Sequence, residues 1–347
     1  MEIGISMFGD VGANPQTGKF NDAGRRIREI LEEVKLADQG GLDVFGMGEH
    51  HRPDYAVSSP EILLAAAASV TQNIKLGSAV SVLSSSDPVR IYQNFSTLDL
   101  ISSGRAEIVA GRGSFTESFP LFGFDLKDYD KLFSEKLELL MAINKNEEIT
   151  WSGKFRPPLE KQQVLPRAQQ KELPIWLAVG GTPESVQRAA RLGLPLMLAI
   201  IGGSPSQFIP YAQYYKTEYL KHGHKPEEMR IGVHSHAFLG DDGKQVADAY
   251  YPYYAAQMNN IGRTRGWPPY SKVQFEAGRT LGGAVFVGDA RQVTEKILKV
   301  QEELGLTRFM AHIDVGAAPH GMMMKTIEIL ADKVAPAVRK ALVPRTG

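Results

Sequence analysis

Short apolar runs alternate with longer stretches of helical periodicity along the whole of this chain. The runs near 3–7, 43–47, 74–82, 105–110, 174–178, 195–200, 231–239 and 307–313 are brief and rich in aliphatic and β-branched side chains, which predicts strands. Between them the pattern predicts helices over 22–39, 60–72, 88–102, 130–145, 183–192, 205–221, 242–258, 289–304 and 320–341. The punctuation agrees. Asp87-Pro88 and Thr182-Pro183 each place a capping residue before a proline at the first helical position. Gly40-Gly41 and Gly193 fall just past helix ends, where a left-handed residue is wanted.

Eight strand–helix units in series, each strand short and apolar, predict a parallel sheet covered on both faces. No low-complexity linker or shift in composition divides the chain, so one domain over 1–347 is expected. A closed (β/α)8 TIM barrel accommodates all eight units. An open doubly wound sheet is the competitor, but it usually shows a glycine fingerprint after its first strand. Here that strand runs into Met7-Phe8-Gly9-Asp10 and a long loop. Two stretches exceed what a barrel needs. Residues 146–173, after strand 4, contain Ile149 to Phe155 and read as a small hairpin. Residues 259–284, after strand 7, hold Arg263, Arg265, Trp267, Pro268, Pro269 and Tyr270 and read as a loop punctuated by glycine and proline. Insertions of this length in barrels form lids or pocket walls, and the second is the expected lid.

Composition narrows the partners. Lysine plus arginine equals aspartate plus glutamate at 39 each, so no electrostatic case exists for nucleic acid or an anionic membrane surface. Cysteine is absent, which excludes disulfides, thiolate nucleophiles and cysteine-ligated clusters. The first residues read as a strand rather than a signal peptide, and no apolar stretch approaches the roughly 20 residues of a membrane span. A cytoplasmic protein is expected. Ile62 to Val70, the most apolar helical stretch, suits a buried or interfacial helix.

Chemistry gathers where strands end. Glu49-His50-His51 follows the second strand, on the rim that carries function in α/β barrels. Two imidazoles beside a carboxylate offer a proton acceptor, a metal ligand set or an anion stabiliser. After the fourth strand, Gly111-Arg112-Gly113 lets backbone approach a ligand beneath a fixed guanidinium, which suits a phosphate. After the fifth strand, Gly180, Gly181, Thr182 and Ser185 open a helix whose first turn presents free N–H groups and hydroxyls, a ready anion site or a plain N-cap. Consecutive strands bring Arg112 and Thr182 to one rim. On the seventh strand the apolar set Ile231, Val233, Ala237 and Leu239 should face the helices, which points His234 and His236 inward. Each histidine is equally a satisfied core residue. With His50, His51 and Glu49 they also allow a metal-dependent barrel hydrolase. His222 and His224 flank a helix end and are expected in solvent. Met7 and Phe8 either wall a flat ring or belong to the core.

Taken in order, these segments resemble the bacterial luciferase-like family of flavin-dependent monooxygenases and oxidoreductases. The marks are Gly46 to His51, Ile74 to Val80, Asp87 to Arg90, Leu98 to Arg105, Gly111-Arg112-Gly113, Phe119 to Gly123 and Val287-Gly288-Asp289. The resemblance implies a (β/α)8 barrel binding reduced FMN at its carboxyl rim. His50 would then lie beside the reactive flavin edge, as a base or as a stabiliser of the peroxyflavin. Arg112 would hold the FMN phosphate together with Gly181, Thr182 and Ser185, and Ala79–Val80 would be a non-proline cis peptide against the ring. The implied partners are O2, a small organic substrate, a separate flavin reductase and a second copy of the chain in a homodimer. The deazaflavin F420 is the alternative cofactor, and a flavin-binding protein without turnover a further alternative; no metal is implied. Two departures count against aldehyde oxidation with light emission. The position of the luciferase subunits' reactive thiol is Gly111, and their tryptophan-bearing stretch reads Ala199-Ile200-Ile201. His234 and His236 echo only in part the arginine and histidine of the alkanesulfonate-oxidising branch.

Overall fold

A computed structural model describes residues 1–13, 17–19 and 21–343. The domain expected over 1–347 takes in residues 14–16, 20 and 344–347, which lie outside the described residues. The eight apolar runs are β1 (Glu2–Met7), β2 (Val44–Met47), β3 (Lys75–Ser78), β4 (Ala106–Gly111), β5 (Ile175–Val179), β6 (Leu196–Ala199), β7 (Ile231–Leu239) and β8 (Arg308–His312). Each pairs in parallel with the next, and β8 returns to β1 with Phe309 opposite Ile3 and His312 opposite Ser6. The result is the closed parallel barrel expected, wrapped by helices.

Strand alternation divides the side chains cleanly. Ile3, Ile5, Phe45, Leu76, Ile108, Leu177, Leu198, Val233 and Phe309 face outward into the helices and are buried there. The inward set is smaller and mixed. Val44, Val109, Trp176, Met197 and Met310 make an apolar layer inside the barrel. Near the amino ends of the strands, Arg308 binds Glu107 through both terminal nitrogens and Glu2 through Nε at 2.7 Å, with its guanidinium 4.1 Å from the Trp176 ring. This buried, multiply paired cation closes the barrel floor and leaves the opposite rim open for chemistry.

Three local expectations differ from the structure. The run 74–82 is not one strand: β3 ends at Ser78, the Ala79–Val80 peptide is cis, and Ser81–Val82 is a separate short strand paired with Ala110 and Gly111. A further strand, Phe286–Gly288, extends the sheet beside Ala237–Leu239. The insertion 259–284 is largely helical rather than a loop. The helix expected to end at 258 continues as Gly243–Arg265, passing Pro252 on its exposed side and stopping at Gly266 with φ 68°. A second helix, Lys272–Arg279, follows with a Ser271/Gln274 capping box. The buried face of Gly243–Arg265, which includes Tyr250, Tyr253, Tyr254 and Gln257, reaches past 258 only at Gly262, inside the predicted loop. The hairpin in 146–173 is present as Glu148–Trp151 and Leu159–Gln163. Among the described residues no helix is long and apolar enough to cross a membrane.

Candidate active site

The β2 strand ends at Met47, and the loop after it is tied back by a bond from His50 N–H to the Val57 carbonyl at 3.1 Å. Glu49 is engaged on both oxygens, pairing with His51 Nε2 at 2.9 Å and accepting from the Val82 N–H at 2.9 Å. Glu49 therefore joins this loop to the segment that follows the cis peptide. His50 is different. Its ring sits 4.8 Å from Phe8, 4.2 Å from Tyr55 and 4.9 Å from Phe115, and its buried Nε2 has no partner among the described residues. Burial, reinforced by the charges of His312 and Arg52, lowers its pKa to about 3. The imidazole is thus neutral at physiological pH.

A cavity of about 370 Å³ opens at this rim. His50, His51, Phe8 and Phe115 line it together with Ala79, Val80, Gly111, Arg112, Ala178, Ala199, Ile201, His234, His236 and His312. Its lining combines apolar side chains, Ala79, Val80, Ala178 and Ile201, with five imidazoles, His50, His51, His234, His236 and His312. Backbone crowding shapes the apolar wall. A Cβ at Gly111 would lie 2.5 Å from Val80 Cγ2, so only glycine lets Val80 sit where it does. At Gly180 the space above the backbone is open for 4 Å, leaving room for a ligand to touch main chain.

At the cavity's outer edge Arg112 donates to Asp130 Oδ1 at 2.6 Å and to Thr182 Oγ1 at 3.3 Å. Thr182 donates in turn to Ser185 Oγ at 2.8 Å. The hydroxyl of Thr182 is therefore not spent capping its own helix, although the residue occupies the N-cap position. Gly181 (φ 113°) precedes it in a backbone region closed to other residues. The structure thus gathers Arg112, Thr182 and Ser185 into one chain of donors, with Gly181 at its root. These last three residues stand beside the cavity, which Arg112 itself lines.

His234 and His236 do point inward. His234 Nε2 lies 2.6 Å from Ser6 Oγ, and His236 Nδ1 lies 3.0 Å from the Tyr254 hydroxyl. Burial, then the neighbouring His312, lowers the pKa of His234 to about 3 and that of His236 well below its ordinary value. Met7 is core, whereas Phe8 walls the cavity, 4.1 Å from the His312 ring. His224 is only half exposed: it packs on Gly193 and hydrogen-bonds to the Arg191 carbonyl, while His222 is in solvent as expected.

Sequence reasoning missed the partner of these imidazoles. His312 ends β8 and pairs through Nε2 with Asp314 at 3.0 Å. Asp314 also accepts from the N–H groups of Phe8 and Gly9 and from Arg26. Burial opposes ionisation of Asp314, but the bond from His312 and the charge of Arg26 outweigh it and hold the carboxyl well below its usual range. The alternation His312-Ile313-Asp314 at a strand end was the available signal. Asp10, His312 and Asp314 are close enough together to ligate a cation. Both Asp314 oxygens are already committed to protein donors, however, and none of the three belongs to the set of Glu49, His50, His51, His234 and His236 that allows a metal-dependent hydrolase in the sequence.

The family model for luciferase-like monooxygenases matches residues 1–308. The oxygenase component of a flavin-dependent trigonelline monooxygenase from Acinetobacter baylyi is 22% identical, covering 91% of this chain and 91% of that protein. The oxygenating constituent of 3,6-diketocamphane monooxygenase from Pseudomonas putida, solved with FMN, superposes with a TM-score of 0.76 at 20% identity, covering 97% of this chain and 98% of that one. An F420-dependent secondary alcohol dehydrogenase superposes with a TM-score of 0.75 at 16% identity, covering 98% of this chain and 100% of that one.

Proposed function

Because this chain belongs to the luciferase-like monooxygenase family, we propose that it is the oxygenase component of a two-component system in which reduced FMN, supplied by a separate reductase, and O2 oxidise a small organic substrate. One observation carries the reading. One cavity is lined both by His50, a neutral imidazole whose Nε2 has no partner among the described residues, and by Arg112, from which a chain of phosphate-type donors runs beside it through Thr182 to Ser185. The residues fit the group. The cavity's volume is within the range of small-molecule sites. Its Ala79, Val80 and Ala178 wall is apolar, as a ring face requires, and the open backbone at Gly180 and Gly181 stands where an oxyanion would be taken.

Bound reduced FMN would supply the electrons that activate O2 and deliver one oxygen atom to the substrate. The chain's own residues do the rest. Arg112, Gly181, Thr182 and Ser185 hold the phosphate, and Ala79 and Val80 back the ring. His50, kept neutral by burial, accepts or donates a hydrogen bond at Nε2 without adding charge near the reacting centre. Phe8, Tyr55 and Phe115 exclude water around it. Glu49 and His51 orient the loop. The expected domain is the whole chain, cytoplasmic, with the helix carrying the 74%-exposed Ile62 as the contact in a homodimer.

The likeness to the F420-dependent fold favours one second reading, hydride transfer from a deazaflavin without oxygen. Anaerobic titration separates the two. Dithionite-reduced FMN should bind at least as tightly as oxidised FMN, and oxygen uptake should rise with a substrate panel. Binding of F420 but not FMN, or no binding of either, removes the FMN assignment.

A further inference from the structure

The donors gathered at the cavity edge do not carry the charge that a phosphate needs. Arg112 is the cation there, and Asp130 neutralises it through a 2.6 Å ion pair. A phosphomonoester is close to a dianion at neutral pH and gains little from a site whose net charge is zero. A second cation lies within reach. On the helix Pro183–Leu192, Arg188 follows Ser185 by three positions and so shares its face. Its guanidinium lies 5.4 Å from the ring of Phe133. Phe133 in turn follows Asp130 by three positions on the helix Tyr129–Lys145. The two pairs, Ser185 with Arg188 and Asp130 with Phe133, place Arg188 alongside the Arg112–Asp130 ion pair.

Arg188 makes no hydrogen bond or ion pair among the described residues, and its Nη1 is buried without a partner. Such a group is costly to leave unsatisfied. Burial and the positive charge of Arg112 both act against it, the charges of Asp130 and Glu138 being insufficient to offset them. The charged groups acting on this corner are Arg112, Arg188 and Arg191 against Asp130 and Glu138, a surplus of one positive charge that vanishes when Arg188 is removed.

We propose that Arg188 is a phosphate-binding residue of the cofactor site, the unpaired cation that lets the Arg112–Thr182–Ser185 donor chain take the phosphomonoester of FMN while Asp130 restrains Arg112. The inference rests on the flavin reading, and Asp130 becomes a tuning residue. It holds Arg112 in place before the ligand arrives and opposes the incoming dianion.

The test compares FMN, riboflavin and inorganic phosphate on the purified full chain. In the Arg188→Gln variant the dissociation constant for FMN should rise by about tenfold or more, with riboflavin unchanged, because only FMN carries the charge. Stabilisation by inorganic phosphate in a thermal melt should fall in the same variant. Arg188→Lys, which keeps the charge and the packing on Phe133, should recover much of the FMN affinity. Asp130→Asn should tighten FMN and leave riboflavin alone. Equal loss of FMN and riboflavin affinity in Arg188→Gln, or FMN affinity within about twofold of the parent, would overturn the proposal. If the parent binds neither flavin yet phosphate stabilises it through Arg188, the flavin reading fails and the anion site stands. If the parent binds neither flavin nor phosphate, both fall.

Discussion

Gly111 and Val80 compete for one volume: a Cβ on Gly111 would lie 2.5 Å from Val80 Cγ2. Gly111 ends β4, and Val80 follows the cis peptide and lines the cavity. The contact explains in steric terms why the position carries no side chain. Any other residue there would force Val80, which lines the cavity, to shift.

Gly111→Val should therefore lower stability by about 1–3 kcal/mol, the usual cost of overpacking a tight site, and weaken FMN binding at the same time. Urea unfolding and an FMN titration on the same preparation check both. Unchanged affinity in a destabilised variant would mean that Val80 relaxes away from the cavity, and the proposed ring wall would be wrong.

In the proposed site His50 is the candidate catalytic group, on the strength of a buried Nε2 without a partner among the described residues and of its aromatic packing. His50→Ala should reduce turnover by about 10²–10⁴-fold, the range for loss of a positioned acid or base. Flavin affinity should stay close to the parent's, because the phosphate and the ring wall are held elsewhere. Full turnover in this variant would remove His50 from the mechanism.

Acid should destabilise the protein before its carboxylates titrate. In the folded chain His50 and His234 have pKa values of about 3, and His236 is also depressed, whereas unfolded histidine titrates near 6.5. Below that value the unfolded chain takes up protons that the folded chain refuses. Stability is then full above about pH 6.5 and falls as pH drops from there toward 3, with each histidine contributing about 1 kcal/mol of loss by pH 5.5. Denaturant midpoints at pH 7.5 and 5.5 measure the fall. Replacing His234 by Gln, which can still bond Ser6, should flatten the dependence by about one proton. An unchanged slope would show that His234 is protonated in the fold.

The barrel floor offers a test of its own. Glu107→Ala leaves the buried Arg308 with only Glu2 as a carboxylate partner and should cost about 3–5 kcal/mol. Replacing Glu107 and Arg308 together by Leu and Met should recover much of that loss. Chemical denaturation of the single and double variants decides it, and equal destabilisation of both would show that packing against Trp176 matters more than charge.

Much of this architecture is legible one segment at a time. The eight strands emerge within one or two residues of their expected places, apart from the break at Ala79–Val80, and the helices Pro88–Ser102 and Pro183–Leu192 match to the residue. Asp87 caps its helix through the N–H groups of Val89 and Arg90. The insertion 259–284 reads as a loop in the sequence because its glycines and prolines dominate locally, while beyond 258 the helix Gly243–Arg265 buries only Gly262 to mark its continuation. Within the site, His50, Arg112, Thr182 and Ser185 could be named because each sits at a strand end or helix start that announces itself locally.

By itself the sequence determined the alternation of strand and helix, hence a parallel barrel, and which strand ends carry polar side chains, because periodicity and capping depend on near neighbours. Tertiary structure alone decided which of those side chains meet. His312 comes to the ring of Phe8 and Asp314 to its backbone N–H, Glu49 reaches past the cis peptide to Val82, and Arg188, with no hydrogen-bond or ion-pair partner among the described residues, stands near an arginine that Asp130 has already neutralised. Closing the barrel brings residues hundreds of positions apart into contact. Whether a charge there is paired, buried or free depends on that closure and on no pattern within a single segment.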